Sequence, residues 1–313
     1  MLQILTITTP IFILIAIGFL SVRYEMIGRD QIVGMGKFVI NLALPALVIK
    51  ALTERPLDQV FDRNYLLAYG IGSLCMFALG FAYSRWLRRE TLSASAIVAM
   101  GMSVSNSGFI GYPIVVMVVG TPAAVGLALG MMVENLLMIP LALILAEAGD
   151  QQGQGSGKVL LGIVQRLLRN PIILSISAGL ALALLDIRLP AVPFKAVEML
   201  AMASAPVALF VIGGNLVGLK AGGMVGDVLQ ISFAKLILHP LMVLLMFTWL
   251  PVQDPALRMA GVLFACSPMM SIYPILGQRF GLQGRCAAAL VGATVLSFLS
   301  ISAFIWALHH LPG

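Results

Sequence analysis

Charge is what this sequence lacks first. Of its 313 residues only 10% are Asp, Glu, Lys or Arg, against roughly 25% in an ordinary soluble domain. The hydrophobic share is 60% and the mean hydropathy +1.02, so a water-soluble globular fold is excluded and the chain reads as an integral membrane protein. Cysteine is scarce too. Cys75, Cys266 and Cys286 lie in or at the edge of apolar stretches without metal-ligand or redox spacing, and are expected to pack rather than react. Neither "GRDQ" nor "IGGNLVGLKAGG" ends in the Lys-Ser/Thr pair of a phosphate-binding loop, which argues against ATP-driven pumping. The paired His/Glu motif of intramembrane zinc proteases is missing, and no Asp falls deep inside an apolar segment. An intramembrane enzyme therefore lacks its chemistry, and neither catalytic residues nor an organic cofactor are expected. The net charge of +6 is scattered over loops without interleaved aromatics, so no nucleic-acid partner is expected.

What is present is apolar sequence in membrane-length pieces. A crossing needs about 20 mostly apolar residues, and ten segments qualify, near 4–22, 31–52, 64–86, 95–118, 122–146, 170–187, 195–218, 226–250, 257–278 and 286–308. The first has no basic residues ahead of it and no small-residue cleavage pattern after it, so it is expected to be kept as a crossing rather than removed. The connections following odd-numbered segments hold twelve of the 19 basic residues, among them Arg85, Arg88 and Arg89. The opposite side holds six, and Lys235 lies inside a segment. That bias predicts both termini on the non-cytoplasmic side of the cell inner (plasma) membrane. The longest connection, 147–169, is then cytoplasmic. It combines a flexible polar linker, "GDQQGQGSGK", with "VLLGIVQRLLR", which suits an amphipathic surface helix.

An internal repeat emerges at one offset. Shifting the chain by 161 positions pairs Pro10 with Pro171, Pro45 with Pro206 and Pro113 with Pro274, and likewise Gly18 with Gly179, Tyr112 with Tyr273 and Gly120 with Gly281. At this proline frequency fewer than one coincident pair is expected, so the halves read as homologous. With five crossings each, an odd number, the second half must enter from the opposite side. The predicted architecture is an all-α membrane protein of two inverted five-helix repeats, 1–146 and 170–313, joined by the linker 147–169. Many secondary transporters alternate access about such an axis.

Proline removes a backbone donor and clashes with the preceding turn, and a polar group freed in hydrocarbon must find a partner inside the protein. The fourth segment carries "SNSGFIGYP" and the ninth "SPMMSIYP" at matching depth, so both are expected to be broken and to cross at Pro113 and Pro274. Half-helix N-termini at such a crossing present free N–H groups and partial positive charge, which suit an anion. Asn106 lies about 17 Å into its segment, at mid-membrane depth. Ser105, Ser267 and Tyr273 flank the two breaks and join Asn106 as substrate-binding candidates.

Six further polar residues inside segments stand out. Glu134 and Asn135 sit about 18 Å into the fifth, where an ionised carboxylate is costly and marks function by default. Glu134 is a candidate to bind a coupling proton, or with Asn135 to hold a cation, the alternative being a packed structural acid. Lys235 and His239 are one turn apart on the eighth. Lys235 is a candidate to pair with Glu134 or attract an anion, or else snorkels to the surface. His239 is a candidate proton relay, although satisfying a carbonyl freed by Pro240 is the simpler role. Asn41 and Asn215 suit hydrogen bonds between helices as well as substrate contact. Whether a metal ion takes part is left open.

At this point the chain resembles a known family. "SNSGFIGYPIVVMVVG", "INLALPALVIKAL" and "KLILHPLMVLL" are similar to the auxin efflux carrier family and its bacterial members, which include malonate and malate carriers, over nearly the whole length. The resemblance implies a scaffold of helices 1, 2, 6 and 7 and a moving transport domain of helices 3–5 and 8–10. It also implies that Asn106 helps bind a substrate carboxylate and that Pro113 and Pro274 form the crossover. Two departures from the plant carriers are the short central loop and "SPMMSIYP" in place of a more glycine-rich pattern. The expected function is secondary active transport of a small organic anion by an elevator-like or rocking motion, with proton or Na⁺ coupling and a homodimeric state both left open. The alternatives are a bile-acid-type sodium symporter, which calls for more Na⁺-binding polar residues near the crossover, and a transporter-derived sensor, for which no signalling domain follows Leu311.

Overall fold

A computed structural model describes residues 2–54, 61–149, 165, 168–185, 187–217 and 225–310. Apart from residues 147–149, 165, 168 and 169, the expected linker and amphipathic helix lie outside the described residues. Among these the chain is all-helical, with no strand. The elements are α1 (Leu2–Arg23), α2 (Arg29–Thr53), α3 (Arg63–Leu87), α4 (Leu92–Val119), α5 (Pro122–Gly149), α6 (Pro171–Leu184), α7 (Ala191–Leu216), α8 (Val225–Trp249), α9 (Pro255–Ala265), α10 (Tyr273–Gln278) and α11 (Gln283–His310). Among the described residues, seven helices are long and apolar enough to cross a membrane: α2, α3, α4, α5, α7, α8 and most of α11. Shorter apolar helices are Ile13–Arg23, Pro171–Leu184 and Pro255–Ala265.

The starts follow local chemistry. Asp62 caps α3 through the Tyr65 N–H, Thr91 caps α4 through Ala94, Asn170 caps α6 through Ile172 and Ile173, and Asp254 caps α9 through Ala256. Each side-chain oxygen satisfies a donor that a helix start leaves unpaired, and Pro171 and Pro255 stand at the first helical position, where no donor is needed.

Four prolines inside the helices share a signature that Pro10 of α1 and Pro206 of α7 do not show. Wide π-helical turns span Val39–Ala43, Ser107–Gly111, Glu134–Met138 and Ala234–Leu238, and each ends two residues before a proline: Pro45, Pro113, Pro140 and Pro240. In each, the residue preceding the proline donates to the carbonyl five back (Leu44 to Val39, Tyr112 to Ser107, Ile139 to Glu134, His239 to Ala234). Widening the turn relieves the clash between the proline ring and the preceding turn while keeping a backbone bond that hydrocarbon would otherwise leave unmade.

Packing falls into two sets. Helix α1 lies along α7, and α2 lies against α6 and α7. In the second set α3 packs on α8 and α4, α4 on α5, α5 on α9, and α11 on α8 and α10. The tightest backbone approaches stay within a set. A Cβ at Gly18 would run into the Phe210 carbonyl, one at Gly213 into the Ile15 carbonyl, and one at Gly72 would stand 2.8 Å from the Val243 Cα. Where α4 of the second set meets α2 of the first, Gly108 faces the flexible end of Leu44 instead, 2.8 Å from its Cδ1.

Ion pairs follow the same division, although Asn170 at the start of α6 donates to Asn135 of α5 across it at 3.2 Å. Lys50 of α2 bonds Glu198 of α7 at 3.1 Å. In the second set Arg285 of α11 grips Glu90 with two bonds of 2.8 and 2.9 Å and reaches Asp227 of α8 at 3.0 Å, Arg88 meets Asp227 at 2.7 Å, and Arg279 pairs with Glu147.

Candidate functional site

The two proline-bearing segments are interrupted, and the interruptions touch. Helix α4 leaves helical geometry at 104–106 and resumes at Ser107, so Pro113 lies seven residues beyond the gap, in the second position of regular α-helix that follows the π-turn. The ninth segment stops at Ala265 and resumes at Tyr273, with Pro274 next. Pro274 thus stands at the start of its second half and Pro113 at the start of regular α-helix, whereas Pro268 lies within the second gap. The Asn106 N–H donates to the Pro268 carbonyl at 2.7 Å, and its Nδ2 donates to Ser271 Oγ at 2.8 Å. Its Oδ1 accepts from the Phe109 N–H at 3.3 Å, capping the resumed helix. One buried asparagine therefore ties both interruptions together.

A second set of buried polar groups adjoins it through Ser105. Glu134 Oε1 accepts from the Tyr69 hydroxyl at 2.9 Å, the Ser107 hydroxyl at 2.9 Å and the Ser105 N–H at 3.3 Å. Lys235 Nζ donates to Ser105 Oγ at 2.9 Å and to the Ala265 carbonyl at 2.7 Å, and lies 3.0 Å from His239 Nδ1. His239 Nε2 lies 2.9 Å from Ser73 Oγ. Ser105, Ser107, Glu134, Lys235 and His239 are all buried, and Glu134, Lys235 and Ser107 stand on the widened turns before Pro140, Pro240 and Pro113.

Several of the expected residues are therefore assembled, and others are not. Lys235 is fully buried, so it does not snorkel to the surface. Its link to Glu134 runs through Ser105, whose hydroxyl accepts from the lysine and whose N–H donates to the carboxylate. His239 faces Ser73 and Lys235. Asn135 does not join Glu134. It donates to the Met131 carbonyl at 2.9 Å and accepts from Asn170 at 3.2 Å, tying α5 to the start of α6. Ser267 and Tyr273 are buried beside the breaks, Ser267 Oγ near Gly111 and the Tyr273 hydroxyl near Gly101 and Cys286, and among the described residues Ser267 Oγ has no hydrogen-bond partner. Asn41 bonds back to the Lys37 carbonyl at 2.9 Å, and Asn215 is exposed.

Tyr69, Ser73, Ser107 and Ser271 are members that sequence reasoning passed over. Tyr69 and Ser73 are polar residues four apart within an apolar run, the spacing of one helix face. Ser107 and Ser271 lie within the two proline motifs themselves.

Residues 3–306 match the family model described as "Membrane transport protein". The chain belongs to that family. It is the auxin efflux carrier group that the proline motifs resemble, so the protein is a multi-pass membrane transporter acting on a small molecule rather than an enzyme. Among its relatives, a protein named "Putative malonate transporter" from Rhizobium meliloti (strain 1021) is 29% identical over 307 residues, covering 98% of this chain and 96% of the relative. "Uncharacterized transporter YfdV" of Escherichia coli (strain K12) is 25% identical over 301 residues, 95% of this chain and 94% of its own length. A "Lysosomal cholesterol signaling protein" from Mus musculus is 28% identical over 247 residues, 74% of this chain but 28% of that protein.

Proposed function

We propose that this transporter is a secondary carrier of a small organic anion, a carboxylate or dicarboxylate of the malonate class, bound where the interruptions of α4 and the ninth segment meet. The observation that carries this is the position of Asn106. It sits buried between the two breaks, at the N-terminal end of a resumed helix whose partial positive charge favours an anion. Asn106, with Ser105, Ser267 and Tyr273 around it, would supply donors to the carboxylate. The unpartnered Ser267 hydroxyl supports a polar ligand there, because buried polar atoms ordinarily have partners. The relative named for malonate supports the dicarboxylate class.

Alternating access would move α3–α5 and α8–α11 as a transport domain against a scaffold of α1, α2, α6 and α7. Support comes from the division of close backbone contacts and ion pairs, which lock each set internally, while Gly108 meets only the flexible end of Leu44 across the boundary. The inverted repeat of ten crossings has support in matched positions. Tyr112 and Tyr273 are both buried one residue before a proline, and Gly120 and Gly281 have φ of 71° and 72°. Both termini would lie outside the cytoplasm, by the basic-residue bias. Glu134 is the candidate for ion coupling, and a homodimer is compatible with this arrangement.

Uptake of radiolabelled malonate, malate and indole-3-acetate into proteoliposomes under imposed pH or Na⁺ gradients tests the function. Saturable uptake of a dicarboxylate is expected, and it should be lost in Asn106→Ala. Absence of carboxylate uptake by folded, inserted protein would refute the anion assignment. Unchanged pH and Na⁺ dependence in Glu134→Gln would remove that residue from coupling.

A further inference from the structure

Lys235 is the least expected group in the molecule, an amine with 0% exposure at the meeting point of two broken helices. Its surroundings resemble a cation site more than a packing accident. Ala265 is the last residue of α9, and its carbonyl belongs to the negative end of that helix. Ser105 supplies a hydroxyl from the break in α4, and His239 supplies a ring nitrogen from one turn along α8. With His239 protonated at Nε2, that N–H donates to Ser73 and leaves Nδ1 free to accept. Three acceptors then match the three N–H bonds of an ammonium, whereas a neutral amine would turn its lone pair toward one of them. The ionisable groups facing this nitrogen are Glu134 from α5, reached through Ser105, and His239 from α8, with Cys266 beside Ala265. Carbonyls at half-helix C-terminal ends and in unwound backbone are what secondary transporters use to coordinate a coupling Na⁺.

We infer that the Lys235 ammonium is a tethered cation occupying the place of a coupling Na⁺, so that this chain works without sodium and removing the side chain opens a site for a monovalent metal ion. The inference rests on the transporter reading of this crossover. What it adds concerns the driving ion, and its test does not need the substrate to be known. The vacated site would offer the Ala265 carbonyl, Ser105 Oγ and His239 Nδ1, with the Glu134 carboxylate on the far side of Ser105. Oxygen donors and a nearby negative charge suit Na⁺. In the native chain the lysine fills that position permanently, as a covalently held counter-charge to Glu134.

The test is the thermal stability of the purified full-length protein in NaCl against choline chloride at equal ionic strength, for wild type, Lys235→Ala and the Lys235→Ala/Glu134→Gln double variant. Wild type should melt at the same temperature in both salts. Lys235→Ala should be stabilised by Na⁺, its melting temperature rising with the logarithm of concentration once Na⁺ exceeds the dissociation constant of the site. The double variant, lacking both charges, should lose that response. A Na⁺-specific shift in wild type would overturn the proposal, as would a Lys235→Ala variant that folds and ignores Na⁺. If Lys235→Ala folds only in NaCl the proposal stands, and if neither NaCl nor the second substitution restores it the proposal fails. Failure of malonate uptake in proteoliposomes would leave these melting results untouched, so the two readings fail separately.

Discussion

Substituting Glu134 probes the buried network most sharply, because its hydrogen bonds can be counted. Three donors, from Tyr69, Ser105 and Ser107, converge on Oε1 at 2.9, 3.3 and 2.9 Å. In Glu134→Gln the amide oxygen can still accept, but each bond falls from the charge-assisted range of about 1.5–3 kcal/mol to the neutral range of about 0.5–1.5. Roughly 1 kcal/mol per bond gives a cost of about 3 kcal/mol, before counting the loss of charge compensation for Lys235. Lys235→Met, which keeps the length and removes the charge, strands the Glu134 carboxylate and leaves three acceptors without a donor, at a cost of about 3–5 kcal/mol. If Ser105 couples the two charges, the double variant should cost less than the sum by about 1–3 kcal/mol. Equilibrium unfolding in mixed micelles, followed by intrinsic fluorescence, measures all three. Costs that simply add, within about 0.5 kcal/mol, would show that the bridge through Ser105 carries no energy.

Three further outcomes are expected. Asn106→Ala removes a cap as well as the link to Ser271, so it should lower stability by about 1 kcal/mol, and Asn106→Ser should restore most of that loss without restoring uptake. Gly213→Ala forces a methyl group into the Ile15 carbonyl and should destabilise by about 1–3 kcal/mol. Gly108→Ala presses only on the ends of the Leu44 and Met131 side chains and should cost less, and reversal of that order in thermal melts would contradict the packing argument. Arg285→Lys removes the two-pronged grip on Glu90 while keeping the charge, so it should lower stability by about 1–2 kcal/mol, with a smaller loss at high salt.

Hydropathy made most of the helices legible. The segments expected at 31–52, 64–86, 95–118 and 122–146 lie within α2, α3, α4 and α5, because a length of about 20 apolar residues leaves little freedom. The position of the interruptions was less legible. Proline says where a new helix can begin, and the chain abandons helical geometry nine to seven residues before Pro113, at residues whose own types do not forbid a helix. Ser105 was legible as a polar residue near a break, but its bridging role depends on α5 and α8 arriving from opposite sides, which no local pattern encodes. Asn135 shows the converse, since adjacency to Glu134 suggested a shared role, yet successive residues on a helix point about 100° apart and Asn135 turns to Asn170 instead. The repeat at offset 161 drew attention to Gly120 and Gly281, whose nearly equal positive φ values mark turns that side chains rarely enter.

The central claim is that an anion binds between the two interruptions against Asn106. Equilibrium binding of radiolabelled malonate to purified protein in detergent, for wild type, Asn106→Ala and Gly108→Ala, tests it without requiring transport. The account predicts saturable binding to wild type, retained in Gly108→Ala and lost in Asn106→Ala while that variant still melts cooperatively. Malonate binding of equal affinity in Asn106→Ala would place the anion elsewhere and contradict the account.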